Sequence, residues 1–94
     1  MIAVTCVDKG DPLVFAVTIT EGASETRHRV TMGKAHFAKL TPGEQSAEQC
    51  IKAAFAFLLD REPKESILAE FDVSVIARYF PEFDSKLPAY LART

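Results

Sequence analysis

The apolar pattern changes period at Gly33, and that change restricts the chain to folds that set a sheet against helices. Before Gly33 the alternation is two-fold. Residues 13–20 place Phe15, Val17 and Ile19 on one face and Val14, Ala16, Thr18 and Thr20 on the other. Residues 26–32 set Thr26, His28, Val30 and Met32 against Arg27, Arg29 and Thr31. A period of two predicts strands, and charge confined to one face predicts a sheet packed on one side and wet on the other. The polar stretch 21–25, with Gly22 inside it, predicts a hairpin loop of roughly three to five residues. Residues 2–7 are also strand-like, and Asp8-Lys9-Gly10-Asp11-Pro12 signals a turn. The sheet is therefore expected as an antiparallel hairpin or a three-stranded meander.

After Gly33 the signals are helical. Residues 34–40 predict a short helix anchored by Phe37 and Leu40. Thr41-Pro42-Gly43-Glu44 has the form of a capping box with proline at the first helical position, and Ser46-Ala47-Glu48-Gln49 offers a second start. The helix that follows, about Glu44 to Arg61, carries Ala47, Cys50, Ile51, Ala54, Phe55, Phe57, Leu58 and Leu59. These spread over about 200° at ~100° per residue, wider than the ~100° stripe of a surface helix. Such an element must be covered on more than one side, so it is expected at the centre of the molecule. Pro63 ends it, and residues 64–70 are expected to form a new turn with Ile67 and Leu68 inward. Asp72 is read as the N-cap of a helix over 73–80, with a strand as the competing reading. A last helix, from Pro81 or Asp84 to Arg93, presents Phe83, Leu87, Tyr90 and Leu91, with Pro88 perturbing its middle. The expected fold is α+β in a single domain, residues 1–94, with the N-terminal sheet packed on a C-terminal helical part.

Composition narrows the function classes. With 48% hydrophobic and 26% charged residues the chain is that of an ordinary globular domain. A net charge of −2 exerts no global pull toward nucleic acid or anionic membrane. No apolar run approaches the ~18–20 residues that span a bilayer, and the N-terminus lacks the basic region of a signal peptide. Cys6 and Cys50 have no CxxC spacing and are read as reduced, small apolar residues. The expected location is the cytoplasm, without membrane association. No phosphate-binding loop, dinucleotide fingerprint or metal-ligand spacing occurs, so neither cofactor nor metal is expected.

Phe57-Leu58-Leu59-Asp60-Arg61-Glu62-Pro63-Lys64-Glu65-Ser66-Ile67-Leu68, followed by Ile76-Ala77-Arg78-Tyr79-Phe80-Pro81-Glu82-Phe83, resembles a family of short bacterial proteins of unknown function. A looser match extends to the hairpin at residues 13–32. The resemblance implies a bacterial, single-domain protein and carries no activity, cofactor or binding residue.

Three groups of side chains remain as candidates. Residues 26–43 contain no carboxylate but do contain Arg27, His28, Arg29, Lys34, His36 and Lys39. Arg27 and Arg29 project from one strand face about 7 Å apart, near the spacing of successive phosphates, so Arg27, Arg29, Lys34 and Lys39 form a candidate site for RNA or another polyanion. No aromatic shares that face for bases to stack upon. His28 and His36 are candidate general bases, with Cys6 and Cys50 as the available nucleophiles, but no motif surrounds them. A hydrogen-bonded structural role suits His28 better, and carboxylates Asp60, Glu62 and Glu65 read as solvating and capping helix ends around Pro63. Finally, Tyr79, Phe83 and Tyr90 form a candidate exposed patch for a protein partner or a second copy of the chain. The expectation is a small non-enzymatic binding or regulatory module acting through protein contacts.

Overall fold

The computed structural model describes residues 1–93 and has the expected α+β architecture. Three antiparallel strands, β1 (Ile2–Asp8), β2 (Leu13–Glu21) and β3 (Ser24–Met32), form the meander, so residues 2–7 do contribute a third strand. The hairpin loop is shorter than expected. Glu21 pairs with Ser24, leaving a two-residue turn of Gly22 and Ala23. Gly22 takes φ +60°, which glycine adopts without penalty and which a II′ hairpin requires at that position.

A fourth strand, β4 (Glu70–Asp72), lies parallel to β3, with Val30 opposite Phe71 and Arg29 opposite Glu70. The sheet order is β1-β2-β3-β4. Its inner face carries Leu13, Phe15, Val17 and Ile19 from β2 and His28, Val30 and Met32 from β3, all buried. Ile2, Val4 and Cys6 of β1 extend that face, half-buried.

Two helices follow β3: α1 (Lys34–Leu40) and α2 (Ala47–Leu59). Of the two candidate caps, Ser46 is the one used. Its hydroxyl accepts from the Gln49 amide at 3.1 Å while the Gln49 side chain accepts from the Ser46 amide at 2.7 Å. Thr41 instead donates its hydroxyl to the Phe37 carbonyl and closes α1, which is why α2 starts later than Glu44. Two residues on α2 show its central position. Phe55 packs toward the sheet, on His28 and Phe71. Phe57, about 200° further round the helix, packs edge-on against Phe80, Phe83 and Tyr90.

Beyond α2 the chain does not form the expected continuous turn over 64–70. One 3-10 turn, Lys64–Ser66, gives way to extended backbone at Ile67, with φ −75° and ψ 133°. Consecutive side chains of an extended segment point to opposite sides, so Ile67 is buried while Leu68 turns outward, contrary to its expected burial. The Ala69 carbonyl then accepts from the Arg29 amide at 2.7 Å, and β4 begins. Asp72 does act as a cap, accepting from the Ser74 amide at 3.0 Å. It caps a 3-10 turn (Val73–Val75) that leads into a four-residue helix, α3 (Ile76–Tyr79). The last helix, α4 (Phe83–Leu91), buries Phe83, Leu87 and Leu91 and keeps Pro88 on its exposed side. Among the described residues no helix is long and apolar enough to cross a membrane.

Candidate functional site

Because α3 is only four residues long, it leaves uncovered the apolar surface between the end of α2 and β4. The result is a cleft of about 290 Å³. Leu58 and Glu62 form one wall, Ser66, Ile67 and Leu68 a second, and Phe71, Val75, Ile76, Tyr79 and Phe80 the remainder. Leu58, Ile67 and Ile76 are buried and form its apolar floor. Leu68 and Tyr79 are 50% and 69% exposed, and both belong to the cleft. The other large apolar side chains left in water among the described residues, Met1 and Val7, lie on and beside β1. Two of these four side chains thus meet at one depression, and the other two lie at the sheet edge.

The rim is held from behind. His28, the candidate base, is buried on the inner sheet face. Its Nδ1 lies 2.8 Å from the Leu68 carbonyl and its Nε2 2.9 Å from the Thr26 hydroxyl. A carbonyl only accepts, so Nδ1 donates to Leu68, and in the neutral ring Nε2 is then the acceptor for the Thr26 hydroxyl. Both ring nitrogens are occupied, Nδ1 in holding the Leu68 backbone and Nε2 with Thr26 on its own strand. Lys64, with a side chain 5% exposed, ties the same loop to the hairpin through Glu21 at 3.3 Å and pairs within the loop with Glu65 at 2.8 Å.

The only charged side chain in the cleft lining is Glu62. Burial pushes its carboxyl above the ordinary carboxylate value, and among the described residues no neighbouring cation or donor pulls it back. Sequence reasoning missed it, reading Glu62 as one of several solvated helix-end charges. The signal was its place four residues after Leu58, on the same helical face.

The expected aromatic patch does not exist as a unit. Phe83 is 1% exposed, its ring 5.0 Å from that of Phe57, because α4 turns that face onto α2. Tyr90 is half-buried, its hydroxyl donating to Asp60 and accepting from Arg61. Tyr79 alone of the three is free to meet a partner.

The basic residues are also dispersed. Arg27 and Arg29 stand on the open outer face of the sheet, where Arg27 pairs with Glu25 at 2.9 Å and Arg29 sits opposite Glu70. Lys39 and His36 border a separate polar hollow with Asp11, Asp72 and Ser74, while Lys34 begins α1. Asp72 has both oxygens engaged there, by the Thr31 hydroxyl at 2.6 Å and the Ser74 amide at 3.0 Å. Burial raises its carboxyl, but these hydrogen bonds and the nearby His36 outweigh it and leave the group below its ordinary value.

Among the described residues neither thiol is hydrogen-bonded to a histidine. Cys50 is buried against the Met32 sulfur at 3.8 Å, and burial pushes its thiol up to about 11. Cys6 lies half-buried on β1. Among the described residues no three His, Cys, Asp or Glu side chains are gathered as a metal-binding group.

Comparison with family models, curated proteins and solved structures finds no match to this chain.

Proposed function

We propose that the protein is a small non-enzymatic binding module that docks a segment of a partner protein in the cleft between α2, β4 and α3. The observation that carries this reading is the convergence of Leu68 and Tyr79, both substantially exposed, on one apolar depression. Exposed apolar side chains that cluster around a pocket are characteristic of partner surfaces, with aromatic anchors at their centre. At about 290 Å³ the cleft is at or below the lower end of the ~300–1,000 Å³ range of small-molecule sites. That volume suits one or two inserted side chains better than a cofactor. The engagement of both His28 nitrogens and the raised Cys50 thiol favour the non-enzymatic side of the reading. A cytoplasmic bacterial setting belongs to the same proposal.

Polyanion binding through Arg27, Arg29, Lys34 and Lys39 is the alternative. The carboxylates of Glu25 and Glu70 interleave with Arg27 and Arg29, reducing the field an anionic strand would meet. Selection from a random peptide library displayed on phage separates the readings. Peptides are expected that bind the wild-type protein and lose binding when Leu68→Ser and Tyr79→Ser are introduced. Both residues are largely outside the core, so the variant should keep its circular dichroism spectrum. A failure to select any peptide sensitive to these changes would overturn the docking reading.

A further inference from the structure

The carboxylates around Pro63 are not equivalent. Asp60 accepts the Tyr90 hydroxyl, and Glu65 accepts Lys64. Glu62, between them in sequence, is left alone because both neighbouring cations turn away. Arg61 folds back over the Phe57 ring, 3.6 Å from its centroid, and donates to Glu82 at 3.0 Å and to the Phe57 carbonyl at 3.2 Å. Lys64 is enclosed by Glu65 and Glu21. Among the described residues, the one charge in the apolar cleft is therefore an unpaired carboxylate.

A charge set against apolar surface without a counter-ion is unfavourable, and an incoming cation relieves it. An acidic segment would be repelled, and a neutral one would strip water from Glu62 without replacing it. Building on the docking reading above, we propose that the cleft selects a partner segment in which a large apolar side chain is followed closely by lysine or arginine. The apolar chain fills the space over Leu58, Ile67 and Ile76, and the cation pairs with Glu62. An extended segment advances ~3.3–3.6 Å per residue, so the cation falls within reach when it lies one or two positions from the anchor.

The test is to sequence the peptide pools selected on wild-type protein and on Glu62→Gln, each counter-selected against the Leu68→Ser, Tyr79→Ser variant. On wild type, Lys or Arg within two positions of the apolar anchor should exceed Gln about tenfold, the ratio that ~1.4 kcal/mol gives. On Glu62→Gln the anchor should persist and the basic preference should vanish. Cleft-dependent peptides without a basic preference would overturn the cation claim while leaving the docking reading intact. So would a basic preference shared by both pools. An absence of cleft-dependent peptides would instead remove the docking reading itself. Sedimentation of the free protein adds one outcome: a homodimer dissolved by Leu68→Ser would make a second copy the occupant and overturn the partner-segment proposal.

Discussion

Replacing Glu62 with glutamine should stabilise the folded protein at pH 7, an unusual direction for a single substitution. The carboxylate lies half-buried beside Leu58 and Ile67 and meets no cation, so its folded-state carboxyl is raised above the unfolded value of about 4.3. For an acid shifted upward, the folded chain holds its proton more tightly than the unfolded chain. The associated stability is fully present below the unfolded value and is lost as pH rises through the raised folded value. At pH 7 the wild-type protein therefore carries the whole penalty, and glutamine, which keeps the shape without the charge, removes it. An unpaired buried polar group costs about 1–3 kcal/mol, and the solvent still reaching this side chain reduces that to about 0.5–1 kcal/mol. For a chain of this size, that corresponds to a rise in Tm of roughly 2–8 °C. Thermal melts followed by circular dichroism at pH 7 and pH 4, with Glu44→Gln as an exposed control, read the effect. The gap between Glu62→Gln and wild type should be clear at pH 7 and shrink at pH 4. A destabilised variant, or a gap of equal size at both pH values, would refute the claim that Glu62 is an unrelieved charge.

Phe57→Ala should be among the most damaging changes, since its buried ring meets Phe80, Phe83 and Tyr90 edge-on and carries Arg61 above it. A loss of about 3–5 kcal/mol is expected, a large share of the ~5–14 kcal/mol typical of a chain this long. Urea unfolding showing a loss under ~1 kcal/mol would contradict the packing of α4 on α2. Ser46→Ala should cost about 1 kcal/mol by opening the capping box at the start of α2. A lower urea midpoint with an unchanged slope would register it, and no shift would place the start of α2 elsewhere. A disulfide reagent should modify Cys6 but spare Cys50 in the native protein, because the Cys50 thiol is buried and pushed up to about 11. Mass spectrometry after digestion distinguishes the two thiols, and labelling of Cys50 without denaturant would contradict its burial on the face of α2 that meets Met32 of β3.

The sequence revealed what depends on a repeating contact. The alternation over β2 and β3 was legible because the sheet buries one face only. The central place of α2 was legible because Phe55 and Phe57 lie too far apart on a helix to meet the same neighbour. What depended on short or distant pairing was not legible. β4 is three residues long and exists through its register with β3, which no local pattern announces. Leu68 departed from its expected burial because one extended residue, Ile67, interrupts the helical turn. The basic segment looked isolated in one dimension, whereas the sheet brings Glu70 beside Arg29, and Glu25, two residues before Arg27 on the same face of β3, pairs with it. The cleft combines both difficulties. The quoted stretches 57–68 and 76–83 supply most of its lining, but Phe71 and Val75 come from the short segment between them.

Nitrogen–proton correlation NMR during titration with N-acetyl-phenylalanyl-arginine amide tests the docking site most directly. If the cleft takes an apolar side chain with its cation on Glu62, saturable shifts will concentrate on the amides of Glu62, Ile67, Leu68, Ile76 and Tyr79. Shifts centred on Arg27 and Arg29, or no saturable shift anywhere, would contradict that site.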